Sequence, residues 1–177
     1  MNSRHLRRFC FCLCLLTGVA GWAWAGDPFT ISAPAFAQGK PIPPQYTRPG
    51  RNISPELQIA HVPAAAHSLV LICDDPDTPH GLWTHWLVWN LPATTASLPE
   101  EKLPPEARLG NNSFHDARYD GPQPPPGTGV HRYFFRLYAL DTTLTLPTGS
   151  DRAALLAAMD GHIVGITETF GTYPPGN

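Results

Sequence analysis

Two histidines, a tyrosine and an acidic turn are the side chains of this sequence with the clearest chemical potential. Asp75 lies in the turn segment 74–79, His85 follows it, and His131 and Tyr133 open a later apolar segment. Imidazole and phenol groups donate hydrogen bonds to anionic oxygens, and a carboxylate orients an imidazole by accepting its other N–H. The set is therefore predicted to bind a small anionic group such as a phosphate.

A segment rich in proline and glycine, 119–130, directly precedes His131. It cannot form regular secondary structure, yet it has little conformational freedom to lose when it becomes ordered. We expect a stiff loop that shapes a pocket. Gly121 in this loop lacks a Cβ, which would let backbone N–H groups approach an anion closely.

Three apolar segments, 68–73, 85–91 and 131–140, are predicted to be strands that position these groups. They are rich in β-branched and aromatic residues and are bounded by turn-forming residues. Scaffolds commonly hold functional groups at strand ends and in the adjoining loops.

Alternation along a strand predicts which side chains share a face. In the segment 131–140, one face carries His131, Tyr133, Phe135 and Leu137. The other face is also largely apolar, so this strand is predicted to lie centrally in its sheet. In the segment 85–91, the shared face carries His85, Leu87 and Trp89.

Composition favours a single, mainly β domain. The 177 residues include 21 prolines and 15 glycines, too many for a helical bundle, and 42% are hydrophobic, which excludes a largely disordered chain. The net charge of −2 gives no basic excess for nucleic-acid binding.

One helix is predicted over 152–159, with Ser150 or Asp151 as its N-cap and Gly161 ending it. The segment 36–51 contains too many prolines and glycines for a helix or a central strand. We predict that it is a surface excursion, an irregular segment that runs over the outside of the fold.

The N-terminus has the pattern of a secretory signal peptide. Arginines at positions 4, 7 and 8 precede an apolar run over 9–20, and Ala23 and Ala25 form an A-x-A cleavage site. We predict cleavage after residue 25, a single domain over 26–177 and a periplasmic or secreted location; an uncleaved anchor is the alternative. The three lost arginines leave nine basic against 14 acidic residues, a charge of −5. After the predicted cleavage site, no apolar run approaches the roughly 18 to 20 residues that a membrane-spanning helix needs.

Cleavage would also remove three of the four cysteines, at positions 10, 12 and 14. The mature chain then keeps only Cys73 and cannot form an internal disulfide. Because Cys73 lies in an apolar strand, we interpret it as a small buried hydrophobic residue and not as a nucleophile.

Two long motifs carry a family resemblance. They are 74–79 with 83–90 (DDPDTP and WTHWLVWN) and 121–133 (GPQPPPGTGVHRY), and further matches follow at 52–57, 138–141, 161–163 and 171–173. The chain resembles the phosphatidylethanolamine-binding protein family, in particular its bacterial Raf-kinase-inhibitor-like (YbhB/YbcL-type) branch. The resemblance covers nearly all of 26–177.

This resemblance implies an antiparallel β-sandwich with a few short peripheral helices, including one near the C-terminus. It also implies a small pocket that binds phosphate-like or phospholipid head groups. By motif position, the pocket residues are Asp75, Pro79, Trp83, His85, Gly121, His131 and Tyr133. His115 and Arg118 stand where the family usually has glycines, and Gln123 stands where bacterial relatives often have cysteine, so the pocket mouth is expected to differ.

The function predicted from these observations is that of an exported, non-enzymatic protein that binds phosphate or phospholipid head groups. One alternative is an interaction module that inhibits an envelope or secreted protease through the proline-rich surface of 36–51. A third is a metal-assisted hydrolase using His85, His131, Asp75 and Asp77, but no H-x-x-x-H, H-x-H or C-x-x-C pair supports a metal site. No G-x-S-x-G motif accompanies Ser113. We therefore predict no catalytic residue, no metal and no cofactor.

Overall fold

The structure is a computed structural model that describes residues 27–175, so the predicted signal peptide lies outside the described residues. Two antiparallel sheets form the fold. The smaller sheet has the order β1-β2-β5, with β1 at Thr30–Ser32, β2 at Leu57–Ala60 and β5 at Ser97–Leu98. The larger has the order β6-β4-β3-β7-β8, with β3 at Ser68–Asp75, β4 at Trp83–Pro92, β6 at Arg108–Leu109, β7 at His131–Leu140 and β8 at Ile163–Tyr173. The predicted mainly β fold is confirmed.

The main core lies between the two sheets. Leu57 and Leu98 of the smaller sheet belong to the same buried cluster as Leu71, Val88 and Phe135 of the larger one. A second cluster covers the outer face of the larger sheet beneath the only α-helix of residues 27–175, α1 (Arg152–Met159). Strand β3 is buried at every position because both clusters use it.

The helix begins and ends as its sequence predicts. Asp151 caps it, since its carboxylate accepts a hydrogen bond from the backbone N–H of Ala154 at 2.8 Å. Gly161 follows the helix with a φ of 76°, which suits glycine. Between residues 27 and 175, no helix is long and apolar enough to cross a membrane.

The three predicted strands are present. Strand β7 has the predicted bounds and lies between β3 and β8, which confirms its central position. Cys73 is buried in the core, as expected, and burial raises the pKa of its thiol. Strand β8 was not predicted, because its sequence mixes glycine, threonine and glutamate with apolar residues along an edge strand.

The prediction that 36–51 is a surface excursion is right for most of the segment, which is exposed and contains neither an α-helix nor a strand, but wrong for its buried residues. Phe36, Ile42 and Tyr46 of this segment are buried in the main core, and Pro44–Tyr46 forms a short 3₁₀ helix. The Ile42 N–H donates to the Thr172 carbonyl at 2.8 Å, which ties the segment to the end of β8. Proline blocks regular structure but does not prevent the neighbouring residues from packing.

Candidate functional site

The candidate site is a cavity of about 210 Å³ at one end of the larger sheet. It forms where β3 ends at Asp75, where β4 begins at its antiparallel partner Trp83, and near the start of β7. The lining residues are Asp75, Thr78, Pro79, His80, Trp83, His85, Phe114, Gln123, Pro124, Pro125 and Tyr133. Five of the residues predicted from the motifs are therefore brought together here, whereas Gly121 and His131 lie outside this lining.

A β-bulge turns His85 into the cavity. Cys73 pairs with Trp86 but Asp74 pairs with Thr84, so His85 is an extra residue in β4. Leu87 and Trp89 pack in the outer cluster under α1. The prediction that His85 shares their face is wrong, because the bulge reverses the alternation at this point.

Backbone contacts fix the His85 ring. Its Nδ1 lies 2.6 Å from the carbonyl oxygen of Asp120, and the Asp120 N–H donates to the His85 carbonyl at 3.1 Å. Nδ1 therefore carries the proton, which leaves Nε2 as an acceptor. Burial lowers the pKa of His85, against the opposing effect of the Asp120 carbonyl and nearby carboxylates. The imidazole is neutral at pH 7.

Asp75 and His131 form a buried pair at the edge of the cavity. His131 Nδ1 lies 2.7 Å from Asp75 Oδ2, and His131 Nε2 lies 2.8 Å from the Thr128 hydroxyl. Asp75 Oδ1 accepts the backbone N–H of Asp77 at 2.8 Å. His131 is fully buried, with both ring nitrogens occupied, so it positions Asp75 and does not face a ligand directly.

Two buried donors in the cavity wall make no hydrogen bond of normal distance and angle within residues 27–175. They are the hydroxyl of Tyr133 and the indole Nε1 of Trp83. Burial, next the negative charge of Asp75 and then a hydrogen-bonding interaction with the same carboxylate raise the pKa of Tyr133, so its phenol stays protonated. An unpaired buried polar group costs about 1–3 kcal/mol. Both groups would gain from a ligand that offers oxygen acceptors.

Aromatic rings surround these polar atoms. Phe114 meets Trp83 edge to face at 5.2 Å between centroids, and His85 meets Tyr133 in the same way at 5.1 Å. The Arg48 guanidinium carbon lies 4.0 Å from the Phe114 ring centroid. Sequence reasoning did not select Phe114, although it belongs to the Asn-Ser-Phe motif in which Asn112 Oδ1 accepts the Phe114 N–H at 2.9 Å.

Gly121 has a different role from the one predicted. Its N–H donates to Asn52 Oδ1 at 2.8 Å, so it is not available to an anion. A Cβ at this position would lie 2.1 Å from the Tyr46 carbonyl oxygen. Glycine is required because the 46–47 backbone passes against it.

The three residues that differ from the family pattern lie in different parts of the structure. Gln123 lines the cavity, but His115 and Arg118 lie outside it. His115 has a φ of 65°, a backbone conformation that favours the family's usual glycine. Arg118 pairs with Asp120 at 3.2 Å and so reaches the residue that holds His85.

Asp77 is structural. Its carboxylate binds Arg132 through the backbone N–H at 2.9 Å, Nε at 2.8 Å and Nη2 at 2.6 Å. Arg132 lowers the pKa of Asp77 and ties the acidic loop to β7. Within residues 27–175, no group of three or more His, Cys, Asp and Glu side chains is arranged to hold a metal ion.

Comparisons with known proteins agree with this architecture. The family model described as phosphatidylethanolamine-binding protein matches residues 32–174. A UPF0098 protein of Methanothermobacter thermautotrophicus is 47% identical over 148 residues, covering 80% of this chain and 96% of that protein.

Two solved structures are similar to this chain. One is described as a putative phosphatidylethanolamine-binding protein homologue, CT736, from Chlamydia trachomatis; it has a TM-score of 0.79 and 41% identity, covering 84% of this chain and 98% of its own. Escherichia coli YbcL, described as a new member of the mammalian PEBP family, has a TM-score of 0.79 and 28% identity, covering 83% of this chain and 98% of its own.

Proposed function

Since the chain belongs to the phosphatidylethanolamine-binding protein family, we propose that it is a non-enzymatic binding protein whose pocket takes a phosphate ester or phospholipid head group. The observation that carries this proposal is the pair of unpartnered buried donors, Tyr133 Oη and Trp83 Nε1, in the wall of the 210 Å³ cavity. Phosphoester oxygens are acceptors that would pair with both.

The charged residues that line the cavity indicate which kind of head group would fit it. Of the described residues that line it, Asp75 is the only acid and none is lysine or arginine. A phosphate dianion would meet no full positive charge there unless His85 took up a proton. A zwitterionic head group fits better, because its ammonium group can lie against the aromatic rings and the Asp75 carboxylate.

Titration with phosphorylethanolamine and with inorganic phosphate, followed by NMR of the His85 ring, tests this function. We expect saturable shifts, with tighter binding of phosphorylethanolamine, and weaker binding by the Tyr133→Phe variant. Tyr138→Phe is the matched control, because this tyrosine of β7 packs in the outer cluster under α1. Unchanged His85 signals at millimolar concentrations of both compounds would reject the proposal.

The location of this function is part of the proposal. The signal-peptide pattern supports export, with cleavage after residue 25 and a periplasmic or secreted mature protein. Mass spectrometry of the protein recovered from periplasmic and culture fractions tests it. An intact N-terminus on protein that stays in the cytoplasm would refute export.

A further inference from the structure

Two large apolar side chains are exposed at the end of the larger sheet that holds the pocket. Over residues 27–175, the large apolar side chains exposed beyond about a third of their surface are Leu82, Val130, Ile163, Val164 and Ile166. The last three lie on β8. Leu82 is 46% exposed and Val130 is 61% exposed, and each directly precedes a strand that carries pocket residues.

The sheet register places Leu82 and Val130 at the same end of the fold. Asp75 pairs with Trp83 on one side, and on the other side Asp74 pairs with Phe134. Strands β4 and β7 therefore flank β3 at a lateral separation of two strand spacings, about 10 Å, and β7 begins two residues further along than β4 does. The two exposed side chains lie on either side of the acidic loop.

The loops at this mouth carry almost no charge. In the sequences of 76–82 and 121–130, Asp77 is the one residue among Asp, Glu, Lys and Arg. Its carboxylate is already paired with Arg132. Bringing these loops to an interface would thus leave no carboxylate unpaired and would add little repulsion from anionic lipids.

The size of the cavity determines how a phospholipid could bind. A volume of about 210 Å³ suits a head group and cannot enclose two acyl chains as well. Every methylene drawn from the bilayer into water costs free energy. A lipid held by its head group must therefore keep its chains in the bilayer, and the mouth of the pocket must approach the membrane surface.

We propose that this protein binds phospholipid head groups at the bilayer surface, with Leu82 and Val130 inserted into the interface beside the pocket. This inference rests on the proposed function and adds its membrane-bound mode. Apolar side chains that enter the interface add binding strength in proportion to the apolar area that they bury.

Sedimentation with vesicles of phosphatidylethanolamine and phosphatidylglycerol tests the inference on the mature chain. We expect the wild type to bind, and the double variant Leu82→Asp, Val130→Asp to lose at least tenfold in vesicle affinity. Ile166→Asp is the matched control, because Ile166 is 59% exposed but lies on β8. It should bind vesicles like the wild type.

A second measurement separates this inference from the proposed function. The double variant should bind soluble phosphorylethanolamine as the wild type does, since neither residue lines the cavity. Wild-type binding to the soluble compound without binding to vesicles would overturn the membrane mode and leave the proposed function standing. Equal vesicle loss in Ile166→Asp, or loss of soluble binding in the double variant, would also overturn it. No binding in either assay would reject the proposed function itself.

Discussion

Asp74 and Asp75 are adjacent in β3 and lie on opposite faces of the strand. They differ in whether the polar groups around each carboxylate have hydrogen-bond partners. Asp74 is fully buried, and its carboxylate accepts hydrogen bonds from the Thr84 hydroxyl at 2.7 Å and from Arg152 at 3.0 and 3.2 Å. Arg136 adds a contact at 3.6 Å. This side fixes α1 to the sheet.

Asp75 is almost as buried, but the groups beside it are not all paired. His131 and the Asp77 N–H bind its oxygens, while the nearby Tyr133 hydroxyl and Trp83 indole have no partner in residues 27–175. Burial of a carboxylate alone therefore does not distinguish a structural site from a binding site. The unpaired donors beside Asp75 support the proposed binding site only together with the cavity, because the buried Trp89 indole also lacks a partner within residues 27–175 and lies outside the cavity.

The largest expected effect is on the Asp74 side. Asp74→Ala leaves Arg152 and the Thr84 hydroxyl without their buried partner, and breaking such a pair costs about 3–5 kcal/mol. Urea unfolding should show this loss. Asp74→Asn, which keeps an acceptor for Thr84, should lose less. If Asp74→Ala lowers the free energy of unfolding by less than about 1 kcal/mol, the contacts of Asp74 do not fix α1 to the sheet.

The Asp75 side should respond with the opposite sign. Tyr133→Phe removes a buried hydroxyl that makes no hydrogen bond of normal geometry within residues 27–175, so the free energy of unfolding should rise, by at most the penalty of about 1–3 kcal/mol for such a group. Phosphorylethanolamine affinity should fall in the same variant. Thermal unfolding and calorimetric titration measure the two effects. Lower stability together with unchanged affinity would assign the hydroxyl a structural role.

The histidine of the pocket predicts a pH dependence. The folded-state pKa of His85 lies below its unfolded value of about 6.5, so the unfolded chain binds more protons in acid. This part of the stability is present above pH 6.5 and is lost as the pH falls below it. His85→Gln should flatten the change between pH 7.5 and pH 5. An identical slope in the variant would show that other groups cause it.

The smallest effect is expected far from the pocket. Asp151→Ala removes the cap of α1, which costs about 1 kcal/mol, and leaves the Asp75 side untouched. Urea unfolding should show the loss while phosphorylethanolamine binding stays the same. A weaker affinity would show that the two faces of the sheet are coupled.

Local patterns predicted part of this molecule correctly. The bounds of β7 and α1 follow from alternation and capping, because these depend on neighbours in sequence. The motifs identified five of the cavity residues. The prediction that His131 and Gly121 contact an anion directly was wrong. Both ring nitrogens of His131 are already hydrogen-bonded, and the Gly121 N–H donates to Asn52.

The remaining errors concern contacts between distant segments. Whether Phe36 and Ile42 pack inside depends on the end of β8, and the need for glycine at position 121 depends on the backbone at Tyr46. The orientation of His85 depends on the register between β3 and β4. No pattern within one segment contains this information.

The extra residue at His85 interrupts the alternation of side chains along β4, so odd-numbered residues face the core side before it and even-numbered residues do so after it. Before the bulge, the odd-numbered Trp83 and His85 face the cavity; after it, the even-numbered Trp86 and Val88 face the main core. Thr84 and Leu87, on the reverse side, contact Asp74 and the α1 cluster. Deleting one residue here would restore regular pairing and remove the histidine from the pocket, so the length of this short stretch is as important to the proposed binding as its composition.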